Sequence, residues 1–223
     1  MRPIQNAGGH VGLTARNYPI AADTAISAGQ VVVLTAGLVV AAAANVTGAI
    51  LGIAAENHPG VEDPLNLRAD GAEILVYDNP ELIFECPVSV ITAASGSATT
   101  IVPAAGDVAA AAADDAYNNS VLVLRSKAAE SANTDPIGIH IKVTDYTKTG
   151  TILTKESGGV PSAGDEYEMY PAIGSKVCGL DSDRMRLVVA ANGATAIQVI
   201  GHDFNRGMIR CMAVKHQLGG AGA

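Results

Sequence analysis

Ser27-Ala28-Gly29 opens a β-branched run from Gln30 to Leu34 that closes on Ile50-Leu51-Gly52-Ile53. Ser162-Ala163-Gly164 opens a second, from Asp165 to Tyr170, that closes on Val199-Ile200-Gly201-His202. Each passage reads as a turn, an outgoing strand, a loop and a returning strand with a glycine inside it. A glycine within a strand marks a bulge or a place where another backbone comes close. Such a pattern restricts the chain to short antiparallel strands.

The stretch from Thr24 to Ala55 carries no charged residue and is long enough to cross a membrane as a helix. Its contents argue otherwise. Val31-Val32-Val33 is β-branched, Gly29, Gly37, Gly48 and Gly52 fall at turn-like intervals, Asn45-Val46-Thr47-Gly48 is a polar turn, and flanking Lys or Arg is missing. Two or three strands joined by turns account for all of it, and no membrane partner is expected.

Further strands are expected at Leu38–Ala42, Ile74–Tyr77, Leu82–Val90, Val121–Arg125, Ile137–Val143, Tyr167–Tyr170, Arg186–Ala190, Ala196–Ile200 and Met208–Val214. In Leu82 to Cys86 the residues Leu82, Phe84 and Cys86 share one face and Ile83 and Glu85 the other, a half-buried alternation. Ile137, Ile139, Ile141 and Val143 are expected to face inward, with His140 and Lys142 outward. Residues 92–105 are rich in Ala, Ser, Thr and Gly and read as a loop. Asp107 as N-cap of an alanine run predicts one short helix near 107–117.

Residues 1–24 read as an extended arm, because Pro3 and Pro19 disfavour helix and the apolar anchors are scattered. The arm either folds back on its own domain or reaches a neighbour. Residues 25–158 read as a first β domain, 159–218 as a second β domain or subdomain, and 219–223 as a flexible tail. The boundary is placed in the Gly/Ser/Pro-rich run Lys155 to Gly164. The expected class is mainly β: compact β-barrel or β-sandwich-like domains, an extended N-terminal arm and at most one short helix.

The 223 residues can bury roughly 70% of the unfolded surface, so no staple is needed. Charged residues are only 16% of the chain, which fits an exterior that meets other subunits. Net charge is −8 and the fourteen Lys and Arg are scattered, the opposite of the clustered cations that nucleic acid requires. Cys86, Cys178 and Cys211 form no CxxC pair and read as reduced structural thiols. Arg2 is followed by polar Gln5 and Asn6, so no signal peptide is expected.

Reactive groups do not assemble into a site. His58, with Glu62 and Asp63, lies in a His-Pro-Gly turn without regular metal-ligand spacing. Asp181-Ser182-Asp183 lacks the glycine and closing Glu of a calcium loop. His202 and Asp203 are adjacent and would point to opposite faces of a strand, and no Gly-x-Ser-x-Gly elbow occurs. No catalytic residue, cofactor or metal ligand is therefore assigned.

The segments Ser27 to Leu34 and Gly48 to Asn57, followed by Ile74-Leu75-Val76-Tyr77, Pro80 and Phe84, resemble the capsid decoration (cement) proteins of tailed bacteriophages. The resemblance covers roughly residues 25–90. It implies a β-rich virion protein, made in the bacterial cytoplasm, that binds the outside of the expanded head beside the major capsid protein. Such proteins, often trimers or dimers, brace the head against internal DNA pressure and are not enzymes. Arg2, Ile4, Arg16 and Tyr18 of the arm are the expected contacts, and deleting residues 1–20 is expected to abolish head binding while leaving the fold intact. Two rivals are another virion part, such as a head fibre or tail-tube protein, and a β-scaffold hydrolase using His202 or His58.

Overall fold

The chain is built from antiparallel β-sheet, strand by strand. In the computed structural model, which describes residues 1–6, 14–21, 23–43, 48–60, 72–107, 114–149, 152–156, 158–179, 187–189 and 196–218, the strands run in order as follows. β1 (Arg2–Asn6), β2 (Ala15–Pro19), β3 (Ala25–Ile26), β4 (Val31–Thr35), β5 (Leu38–Ala41), β6 (Gly52–Ala54), β7 (His58–Pro59) and β8 (Glu73–Tyr77) come first. β9 (Leu82–Pro87), β10 (Ser89–Ser97), β11 (Thr100–Pro103), β12 (Val121–Ser126), β13 (His140–Thr147) and β14 (Ile152–Lys155) follow. β15 (Glu166–Tyr170), β16 (Lys176–Gly179), β17 (Leu187–Val189), β18 (Ile197–Asp203) and β19 (Met208–Ala213) complete the chain, with a 3-10 turn at Phe204–Arg206.

These strands form a five-stranded sheet ordered β2-β8-β6-β4-β5, a six-stranded sheet ordered β1-β9-β19-β18-β16-β17, and a closed barrel ordered β10-β11-β14-β13-β12-β15. The barrel contains a Greek key, since β11 lies beside β14 and not beside β12. The five-stranded sheet curls on itself: Ile20, just past β2, bridges to Val39 on β5, and the Ala21 N–H donates to the Val39 carbonyl (3.1 Å).

Three apolar cores follow. Ile20, Ile26, Val32, Val39, Leu51, Ile74 and Val76 fill the curl of the five-stranded sheet. Its outer face, through Val31 and Ile53, packs against Phe84, Cys86, Ile197, Val199, Ile209 and Cys211 of the six-stranded sheet. The third core, with Tyr117, Leu122, Tyr146, Tyr167 and Met169, fills the barrel. Val31 and Val32 thus serve different cores, so the centre of this sheet, β6 and the start of β4, is covered on both faces. A doubly covered strand reads as an unbroken apolar run, which is the physical reason Val31-Val32 and Leu51 to Ala54 show no polar alternation.

The Ser-Ala-Gly pattern is a single turn used more than once. Gln30 N–H donates to the Ser27 carbonyl (3.0 Å) and Asp165 N–H to that of Ser162 (3.1 Å), with Gly29 and Gly164 at φ +88° and +89°. Side chains four positions into each turn then accept from its first amide, Gln30 Oε1 from Ser27 (2.9 Å) and Asp165 Oδ2 from Ser162 (3.0 Å). The same backbone pattern recurs at Pro136–Ile139 (3.1 Å) and Ala172–Ser175 (2.9 Å), neither of which shares the Ser-Ala-Gly sequence. The turn at Ala172, not that at Ser162, faces the returning Val199 (Gly174 N–H to Val199 carbonyl, 2.8 Å), whereas the turn at Ser162 faces Ala93 in the barrel. The paired units are therefore β5-β4-β6-β8 and β17-β16-β18-β19, wired alike. Gly201 sits at a register shift against β19, and a Cβ on Gly52 would overlap the Tyr77 carbonyl.

Several expectations change. Residues 1–6 and 14–20 are edge strands of the chain's own two sheets, with Ile20 4% exposed in a core, so removing residues 1–20 would break the fold. Pairing crosses the boundary expected after residue 158, because β15 closes the barrel and β18 and β19 continue the sheet of β9. Residues 92–105 are the β10–β11 hairpin; small polar side chains on the outside of a barrel hid its alternation. β14 was not anticipated. Ile137 is 63% exposed because it lies in a turn ahead of β13, while Ile141 and Val143 point inward. The helix expected near 107–117 falls mostly on residues 108–113, outside the described residues, and 114–119 are turns. The tail 219–223 also lies outside them.

Gly52 and Gly37 of the first unit give a contrast. Gly52→Ala is expected to cost more than about 3 kcal/mol because backbone must move. Gly37→Ala, at φ +83° with open space around it, is expected to cost about 1 kcal/mol. Urea unfolding of the two variants measures both.

Candidate functional site

Glu85 lies on β9 directly between Arg2 of β1 and Arg210 of β19. Directly opposed residues in an antiparallel sheet share a face, so both guanidiniums lie over its carboxylate. Arg2 Nη2 is 2.8 Å from Oε2 and Arg210 Nε 3.5 Å from Oε1. Arg206, from the turn after β18, adds a contact at 3.0 Å and reaches Asp203 at 3.6 Å. Glu85 is 2% exposed, whereas the three arginine side chains are 57%, 45% and 48% exposed for Arg2, Arg206 and Arg210. A buried carboxylate needs such partners to offset its desolvation. This clasp also explains why β9 is buried on both faces and not half-buried as the alternation suggested.

Beside the clasp, Phe204 stacks within 4.5 Å of His140 and 4.6 Å of Tyr170 (ring centroids), with His202 5.3 Å away. Together they seat the 204–206 turn on the barrel wall. The His202 Nε2 lies 2.7 Å from the Pro171 carbonyl. Tyr170 donates to Glu168 (2.8 Å), and burial above all, then that acceptor, raises its phenol.

The four expected contact residues separate. Arg2 belongs to the clasp, and Ile4 occupies the register shift between Pro3 and Gln5 in β1. Arg16 and Tyr18 lie on β2, where the Tyr18 hydroxyl donates to Asp78 and Arg16 Nε stands 3.6 Å from the same carboxylate. Burial, then the bond to Asp78, pushes Tyr18 up to about 12. Thr14, Arg16, Asp78, Asn79, Pro80 and Leu218 line an open cleft of about 360 Å³ there.

A second polar cluster closes one end of the barrel. Asp165 accepts from the Ser162 and Ala128 amides, Ser131 Oγ and Asn133 Nδ2, each at 3.0 Å. Burial alone would raise its carboxyl, but these four donors outweigh it and hold it below the usual carboxylate range. Lys155, 2% exposed, donates to the carbonyls of Ala98 (2.9 Å) and Gly159 (3.1 Å), and burial pulls its ammonium down while Asp135 opposes that. These groups bind the irregular 127–138 loop to the barrel.

Of the other sequence candidates, His58 is buried with Nδ1 3.1 Å from the Thr24 carbonyl, and Glu62, Asp63 and Asp181 to Asp183 lie outside the described residues. Cys86 and Cys211 are buried free thiols, and burial pushes Cys211 well up. Among the described residues no group of three or more His, Cys, Asp or Glu is placed to hold a metal, and no helix is long and apolar enough to cross a membrane. Local pattern does not show the clasp, because positions 2, 85 and 210 meet only through strand pairing and Arg206 only through the turn after β18; a lone Glu inside an apolar strand is its one local sign. The chain matches no family model, no curated protein and no solved structure.

Glu85→Ala is expected to destabilise the chain by about 2 kcal/mol, since β1, β19 and the 204–206 turn lose the acceptor they share while the half-exposed guanidiniums stay hydrated. Arg2→Ala, which leaves two behind, is expected to cost under about 1 kcal/mol by the same denaturation assay. Asp165 gives a pH test. Its folded value is depressed, so its contribution is complete above the ordinary Asp range and declines as pH falls through the folded value. Stability measured from pH 6 down to about 2 is expected to fall more steeply in the wild type than in Asp165→Asn.

Proposed function

We propose that the chain is a virion structural protein that binds the outer surface of the expanded phage head and stabilises it, acting as a homotrimer or dimer beside the major capsid protein. The observation that carries this reading is where the family resemblance falls. The segments Ser27 to Leu34, Gly48 to Asn57 and Ile74 to Tyr77 supply β4, β6 and β8, which with β2 and β5 curl around one core. Most of the resembling residues therefore belong to one sheet, and Phe84 lies on β9 in the sheet packed against it.

Surface features fit the same reading. Ile137 and Ile173 are 63% and 65% exposed, each at the tip of a glycine turn bonded to a neighbouring strand. Apolar side chains held at rigid tips are pre-organised for contact, so little ordering entropy opposes association. Modest contacts of this kind, repeated on a symmetric shell, add up through avidity.

The test is addition of the purified protein to expanded heads that lack it. Saturable occupancy with a fixed number of copies per head is expected, together with a higher temperature for head disruption. Heads that take up no protein, or take it up without saturating, would refute the reading.

A further inference from the structure

The outer face of the six-stranded sheet gathers charge that the sequence scatters. Val177, Ile197, Val199, Ile209 and Cys211 point into the core, so by strand alternation Lys176, Gln198, Met208, Arg210 and Met212 lie on the opposite face. Lys176 pairs with Gln198, Gln198 with Met212 and Met212 with Ile83, which puts them in one row; Arg210, Glu85 and Arg2 form the next. Arg206 leans onto that second row from the turn. Four cations thus share this face with Glu85 and Asp203, on a chain whose net charge is −8.

The three guanidiniums carry about fifteen N–H donors, while two carboxylates offer about eight acceptor sites, so donors remain after the internal pairs are made. Glu85 is buried beneath them and fixes their positions during folding, which removes ordering cost from any later encounter. Half-buried Met208 and Met212 flank Arg210. Arginine with methionine is the composition found where protein interfaces are desolvated, and guanidinium matches a carboxylate bidentately.

We propose that this face docks a carboxylate-rich surface of another protein; on the head-binding reading, that surface belongs to the shell. A protein partner fits better than a polyanion. The cations stand on separate strands with methionines between them, not in a stripe that follows a phosphate backbone, and the chain's overall charge opposes nucleic acid. The docking surface is then not an N-terminal arm, although Arg2 contributes to it.

Two measurements decide this separately from head binding. At pH 8 and low ionic strength, a chain of net −8 should pass a carboxymethyl surface on net charge alone; retention of the wild type is expected. Lys176→Glu and Arg206→Gln are expected to pass through, while Lys142→Glu, on the exposed outside of the barrel, is retained, each variant first checked for an unchanged unfolding midpoint. Failure of the wild type to be retained, or equal loss by Lys142→Glu, would overturn the proposal, as would binding to duplex DNA at the same ionic strength.

On expanded heads, Lys176→Glu is expected to bind about ten-fold more weakly and Lys142→Glu within about two-fold of wild type. If the wild type saturates heads and Lys176→Glu binds as well as it does, the docking face is wrong and head binding stands. If the carboxymethyl pattern holds and no variant nor the wild type binds heads, head binding fails and the face stands.

Discussion

Burial of the centre of the five-stranded sheet on both sides is the constraint from which the rest follows. Val32, Leu51 and Ile74 fill its curl while Val31 and Ile53 face the six-stranded sheet. At roughly 1.5–3 kcal/mol for each fully buried branched side chain, these contacts outweigh any single polar interaction in the molecule. They also dictate backbone spacing. With a covered surface on each side, the strands have no room to rearrange, and Gly52 must stay bare where the Tyr77 carbonyl presses against it.

The same economy of device appears in the turns. Among the described residues four glycine turns end in a bond to a facing strand, across the five-stranded sheet, the six-stranded sheet and the barrel, and each one sets the start of a strand (β4, β13, β15 or β16). Two strand arrangements of identical wiring result, lying face to face across one core. Where apolar contact is not available, polar groups take over. Asp165 and Asn133 hold the 127–138 loop, and Glu85 draws the first strand, the 204–206 turn and β19 together. At Asp165 a buried carboxylate satisfies several donors at once, and at Glu85 half-exposed guanidiniums offset the desolvation of a buried carboxylate.

Much of this was legible residue by residue. The valine cluster, the glycine turns at Ser27 and Ser162, and the inward Ile141 and Val143 follow from spacing and side-chain shape alone. Legibility ended where local pattern was ambiguous. Small Thr, Ser and Ala on β10 and β11 give no strong alternation, and Ile137 continues an apparent strand period into a turn. The twin of the first turn was assigned to Ser162 because it repeats the letters Ser-Ala-Gly, whereas the backbone twin at Ala172 shares only its glycine. Arg2 is expected as a contact of an extended arm, whereas strand pairing sets it over the Glu85 carboxylate.

Short strands, a mainly β class and the absence of charge from Thr24 to Ala55 were settled by the sequence, because side-chain period and backbone freedom are local properties. Which strands are neighbours was decided by the tertiary structure alone, since pairing depends on how three cores close together at once. That decision makes edge strands of Arg2–Asn6 and Ala15–Pro19, carries β15 across the expected boundary into the barrel, and assembles the arginine clasp from residues 83 to 125 positions away from Glu85. Charge scattered along a chain becomes a surface only when strand register brings it to one face.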